Sequence, residues 1–153
     1  MSGKTGLTQV SYANAGGFGA YQINKVVEFD GGVGSGAVGT VALFTITGSV
    51  LLRLVCTCTA TLVEGVGGGT VEVGIAGATP NLIAQTVSTA VVTGEVWHDA
   101  APDSPIEDIS VMAGRVITDG NDIILTVGAQ VVTDGTLAFA AFWTPVTAGA
   151  SVT

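Results

Sequence analysis

Charge is scarce in this sequence. Only 10% of its 153 residues are charged, and four basic residues, Lys4, Lys25, Arg53 and Arg115, face twelve acids for a formal charge of −8. Neutralising a run of phosphates takes clustered cations, and these four stand singly along the chain. Nucleic acid is therefore not an expected partner. Histidine occurs once, as His98, and cysteine twice, as Cys56 and Cys58. A zinc site needs more soft ligands than that. No metal or cofactor is expected. The opening stretch MSGKTGLTQVSYANAGG has a lysine but no apolar core of the length a secretory leader requires. No leader is expected, and synthesis is expected in the cytoplasm.

Long hydrophobic runs are also missing, with one near exception. Residues 41–63, VALFTITGSVLLRLVCTCTATLV, are apolar enough to suggest a membrane span, but Arg53, several threonines and a Gly-Ser break interrupt them. The period decides. Val50, Leu52, Leu54, Cys56, Cys58, Ala60 and Leu62 fall on one face at a spacing of two, with Arg53, Thr57, Thr59 and Thr61 on the other. That is a long strand with one dry face, and no membrane is expected as a partner. Two residues along a strand span roughly 6.6 Å, too far for a disulfide between Cys56 and Cys58. Both thiols are expected reduced and buried.

What is present is glycine, 23 residues of it, with abundant Val, Thr and Ala. Beta-branched residues punctuated by glycine favour short strands and tight turns. Strands are expected near 22–30, 38–47, 50–63, 69–76, 81–87, 109–117, 121–132 and 135–144. Thr-Asp-Gly occurs at 118–120 and again at 133–135. Asp-Gly between alternating apolar residues signals a hairpin, so the second copy is expected to join DIILTVGAQVV to TLAFAAFWTPV as an antiparallel pair. About eight such strands make an all-β, single-domain antiparallel β-sandwich, jelly-roll-like in architecture. That domain should span 21–153. Residues 1–20 show no strand or helix period and read as an extended N-terminal arm. Too little of the arm is apolar to fold alone, and Leu7, Val10, Tyr12, Phe18 and Tyr21 are its expected anchors on a partner.

Candidate chemistry concentrates in EVWHDAAPDSP, residues 95–105. His98 could act as a base oriented by Asp99, Asp103 or Glu107, with Ser104 as nucleophile. No Gly-x-Ser-x-Gly elbow accompanies them. Calcium could bind Asp99, Asp103 and Asp108, but no known calcium-loop pattern is present. The reading preferred is a turn-rich connection with Trp97 packed down, and the protein is not expected to be an enzyme. In SPIEDIS, 104–110, one helical turn is expected with Ser104 as N-cap, Pro105 at N1 and Glu107 at N3. GGVGSGAVG at 31–39 lacks the Lys-Ser/Thr ending of a phosphate loop and reads as a plain loop.

The segments GAVGTVALFTITGSVLLRLVCTCTATL, TVEVGIAGATPNLIAQT, GEVWHDAAPDSPIE and DIILTVGAQVVTDGTLAFAAFWTPV occur in this order. Over residues 38–145 the chain thereby resembles a family of small phage virion proteins encoded among head-morphogenesis genes. The resemblance implies a decoration or cement protein, or another head-associated protein, on the capsid surface. Its partner would be the major capsid protein or another head protein, and it would be a homo-oligomer, a trimer by analogy. No catalytic residues come with it. Few charges and many small, beta-branched residues suit a chain that buries a second surface against neighbours. The competing reading is a binding module for a glycan or receptor, using Trp97 and Trp143. It would require both rings exposed, whereas Trp143 alternates in phase with Leu137, Phe139 and Ala141 and should lie in the core.

Overall fold

A computed structural model describes residues 21–102, 104–112 and 114–153. The arm expected at 1–20, with Leu7, Val10, Tyr12 and Phe18, lies outside the described residues, as does Asp103. The described elements are β1 (Tyr21–Glu28), β2 (Gly39–Phe44), β3 (Ile46–Thr47), β4 (Val50–Glu64), β5 (Thr70–Ile75), β6 (Ala78–Val87), β7 (Arg115–Ile117), β8 (Ile123–Gly128), β9 (Val132–Pro145) and β10 (Ser151–Val152). Short helical turns lie at Ser88–Ala90 and Ile109–Val111. Two four-stranded sheets, ordered β1-β9-β4-β7 and β2-β8-β5-β6, enclose one core, and β3 pairs with β10 at the side.

With β3 and β10 set aside, the order follows from a ribbon. The chain doubles back at the β5–β6 hairpin, so that β4 meets β7, β2 meets β8 and β1 meets β9, every pair antiparallel. Rolling that ribbon adds the remaining contacts, β4 with β9 and β5 with β8. This is jelly-roll connectivity, and it closes two sheets around an apolar interior. The fold is an all-β antiparallel sandwich.

Strand β4 obeys its alternation. Val50, Leu52, Leu54, Cys56, Cys58 and Leu62 are buried, while Leu51, Thr59, Thr61 and Val63 are exposed. Ala60 is only half-buried, because bulges on either side of it shift the register against β9. Val71, Val73, Leu125 and Val127 of the opposite sheet are buried in the same core. Each such side chain contributes about 1.5–3 kcal/mol by leaving water. Burial pushes the Cys56 thiol well above its ordinary pKa and raises that of Cys58 too, so both stay protonated. Neither is in a disulfide.

Three expectations are corrected. The second Thr-Asp-Gly is not a turn: β9 runs straight through residues 133–135, and β8 and β9 belong to different sheets. The chain reverses earlier, where Ala129 takes φ 62° and the Gln130 N–H donates to the Gly128 carbonyl at 2.7 Å. Gly135, with φ 112°, sits where β9 passes β4; a Cβ there would lie 2.7 Å from the Thr61 carbonyl oxygen. The tripeptide sits at a bulge in the β4–β9 ladder, not at a reversal. Second, among the described residues of the expected 109–117 strand only 115–117 form a strand, because Asp108 accepts from the Ser110 N–H and starts a helical turn at Ile109–Val111. Third, Ser104 does not cap that turn. Its hydroxyl closes a local loop on Ile106, accepting from the N–H at 3.1 Å and donating to the carbonyl at 2.6 Å. The first Thr-Asp-Gly does turn the chain: the Asn121 N–H donates to the Thr118 carbonyl, and Gly120 takes φ 76°.

Candidate functional sites: the 94–108 strap and an outward sheet face

The acid-rich stretch forms a strap along the free edge of β4. Strand β7 covers only Val50–Leu52 of that edge. Beyond it, the Gly94 N–H donates to the Cys58 carbonyl at 2.8 Å, Cys58 donates to Glu95 and Trp97 donates to Cys56, both at 2.9 Å. An otherwise open edge is thereby paired. Trp97 is the plug. Its ring is 0% exposed, and its Nε1 donates to the Thr86 hydroxyl at 2.9 Å. That hydroxyl lies 3.0 Å from the Asp99 carbonyl and 2.9 Å from the Ala84 carbonyl, either of which can accept its proton. The strap is thus pinned to β6.

His98 follows the plug and is mostly covered, its side chain 14% exposed. Its Nδ1 lies 3.6 Å from an Asp99 oxygen and its Nε2 lies 3.5 Å from Glu107. The structure therefore brings together three of the residues proposed for chemistry. The nucleophile is not delivered with them: the Ser104 hydroxyl is committed to Ile106. Asp99 also accepts from the Ala101 N–H at 2.8 Å, and Asp108 from Ser110 at 2.8 Å. The Ser110 bonds hold the Asp108 carboxyl below the usual carboxylate range. Among the described residues no three His, Cys, Asp or Glu side chains converge as a metal site. A recess of about 220 Å³ beside His98, lined by Leu54, Leu82, Met112 and Arg115, is smaller than the roughly 300 Å³ at which ligand pockets begin.

The two tryptophans of the glycan reading are both buried. Trp143 is 7% exposed and stacks on Tyr21 with ring centroids 4.3 Å apart. Tyr21, expected as an arm anchor, is half-buried against that ring within its own chain.

Sequence reasoning did not locate the outward face of β1-β9-β4-β7. Register places its side chains in rows: Val26, Ala138 and Thr57; Asn24, Ala140 and Val55; Gln22, Phe142 and Arg53; then Thr144, Leu51 and Val116. Val26, Leu51 and Val116 are 57%, 46% and 63% exposed. Across these four rows the only charge is Arg53. One row beyond Val26 the exposed Glu28 of edge strand β1 ends this field, whereas in the other sheet Glu72 stands on interior strand β5 in the outward row with Thr40 and Thr126. The signal for the first face was present in LLRLV and LAFAAF, where both strand phases are apolar or small apart from Arg53.

No family model matches the chain, and no curated protein matches it. Among solved structures it is similar to a chain of the acidic stable capsid of Helicobacter pylori bacteriophage KHP30. The identity is 10% and the TM-score 0.47, over 86% of this chain and 92% of that one.

Proposed function

We propose that this protein is a non-enzymatic structural component of a phage virion, a decoration, cement or other head-associated protein that binds the capsid shell as an oligomer. The observation that carries the reading is the outward face of β1-β9-β4-β7. A chain of formal charge −8 keeps four rows of one sheet free of carboxylates, and all but Gln22, Asn24 and Arg53 of the side chains in those rows are small or apolar. Such a surface suits burial against protein rather than turnover of a small molecule. The resemblance over residues 38–145 to virion proteins encoded among head genes supports the same role. Reading the strap as architecture is supported by Trp97, which plugs the edge of β4, and by the backbone of Glu95, which pairs with that strand.

The test is a titration of purified full-length chain, a 21–153 truncation and His98→Gln onto undecorated particles, with occupancy read by sedimentation. The full-length chain and His98→Gln should saturate the particles alike. The truncation should fold, since it keeps every described core strand, but should occupy the particles far less. Absence of saturable binding by the full-length chain would refute the role. Equal occupancy by the truncation would move attachment from the arm to the sheet faces.

A further inference from the structure

We propose that the outward face of β1-β9-β4-β7 is where copies of this chain meet, with residues 1–20 of one copy completing the contact on the next. This deepens the oligomeric part of the proposed function and names its surface.

Charge selects the partner. Each copy carries a formal charge of −8, so copies repel wherever their acids face one another. The rows from Val26 to Leu51 hold no carboxylate and one guanidinium, Arg53. There a second copy approaches without acid meeting acid. The first sheet's own outward carboxylate, Glu28, lies one row beyond Val26 on edge strand β1, whereas the other sheet places Glu72 on interior strand β5, amid the surface a like-charged neighbour would have to cover.

Area selects the arm. With strands about 4.8 Å apart and about 3.3 Å per residue, the field measures on the order of 400 Å². A stable interface buries about 800 Å² on each partner. The face supplies about half of this. The twenty residues before Tyr21 join the chain at the head of β1, the strand bordering that face. Fully extended they reach at most about 70 Å, enough to cross a neighbouring copy, and Leu7, Val10, Tyr12 and Phe18 supply apolar anchors.

The test is sedimentation equilibrium of the full-length chain and three full-length variants over a range of concentrations, each first checked for a cooperative melt. Wild type should sediment as a multiple of 15.1 kDa. Ala140→Glu puts a carboxylate mid-face and should weaken association on the order of a hundredfold. Val26→Glu, at an already exposed edge position, should act in the same direction and decides the matter if Ala140→Glu fails to fold. Ala42→Glu, exposed on β2 of the other sheet, should keep the wild-type mass. A wild type of single-chain mass throughout overturns the inference, as do folded face variants that all keep the wild-type mass. A single-chain wild type that still saturates particles would sink this inference and leave the virion role standing. An assembled chain that ignores particles would do the reverse.

Discussion

Strands β4 and β9 carry two sets of side chains on opposite sides of one backbone. Inward stand Leu52, Leu54 and Cys56 with Leu137, Phe139 and Trp143, all buried; outward stand Leu51, Val55 and Thr57 with Ala138, Ala140 and Phe142. Both sets are poor in charge, yet they differ in bulk. The inner set is large and enters the core shared with the facing sheet, while the outer set mixes Leu51, Val55 and Phe142 with the small Thr57, Ala138 and Ala140. A surface designed only for water would carry charges on its outer phase, as antiparallel sheets with one wet face do. On the reading proposed above, low charge on both phases marks two surfaces, one buried in folding and one available for assembly.

The largest expected effect breaks the inner set. Leu52 is 0% exposed, and Leu52→Ala should cost about 2–5 kcal/mol through lost burial and a cavity the two sheets cannot close. Urea unfolding checks this, with the midpoint falling and the slope unchanged. A loss below about 1 kcal/mol would mean that the core is not shared as described.

A smaller effect is expected at the end of β4. The Glu64 carboxylate accepts from the Gly68 N–H at 3.0 Å, from the Ser88 hydroxyl at 2.7 Å and from the Gly69 N–H, stapling the glycine-rich loop to the Ser88–Ala90 turn. The Ser88 bond foremost, with the two N–H groups, holds its pKa below the ordinary value. A depressed carboxylate contributes stability above its unfolded pKa and loses it as pH falls through the lowered folded value. Asp30, lowered by Ser35 and Gly32, adds to the same slope. Melting temperature should therefore drop as pH falls below the ordinary carboxylate range, and Glu64→Gln should make the drop shallower. An identical pH profile in the variant would remove the staple from the account.

Much of the fold was legible because β4 is long and strictly alternating, and burial follows that alternation from Val50 to Cys58. The role of Trp97 was legible too, a large ring in a turn-rich stretch having few places to go but inward. The second Thr-Asp-Gly was not legible, since Asp-Gly suits a turn and a bulge alike. Only the pairing of β9 with β4, which sets Gly135 against Thr61 and Leu62, decides between them. Nor was the separation of β8 from β9 visible, because adjacent strands usually pair and only rolling the ribbon parts them. For the candidate sites, local spacing brought His98, Asp99 and Glu107 to notice. The outward face needed the register of four strands, three of them distant in sequence from β1.

The division between the two sides is tested most directly at adjacent positions, Phe139 and Ala140. Melting and sedimenting mass are to be measured on wild type, Phe139→Ala and Ala140→Glu at one protein concentration, with mass read well below each melt. Phe139→Ala should melt far lower yet keep the wild-type mass while folded. Ala140→Glu should fall to the mass of one chain, its melt lowered only by the stability that association lends the wild type. If Phe139→Ala dissociates while folded, or Ala140→Glu keeps the assembled mass, the two faces do not divide folding from assembly.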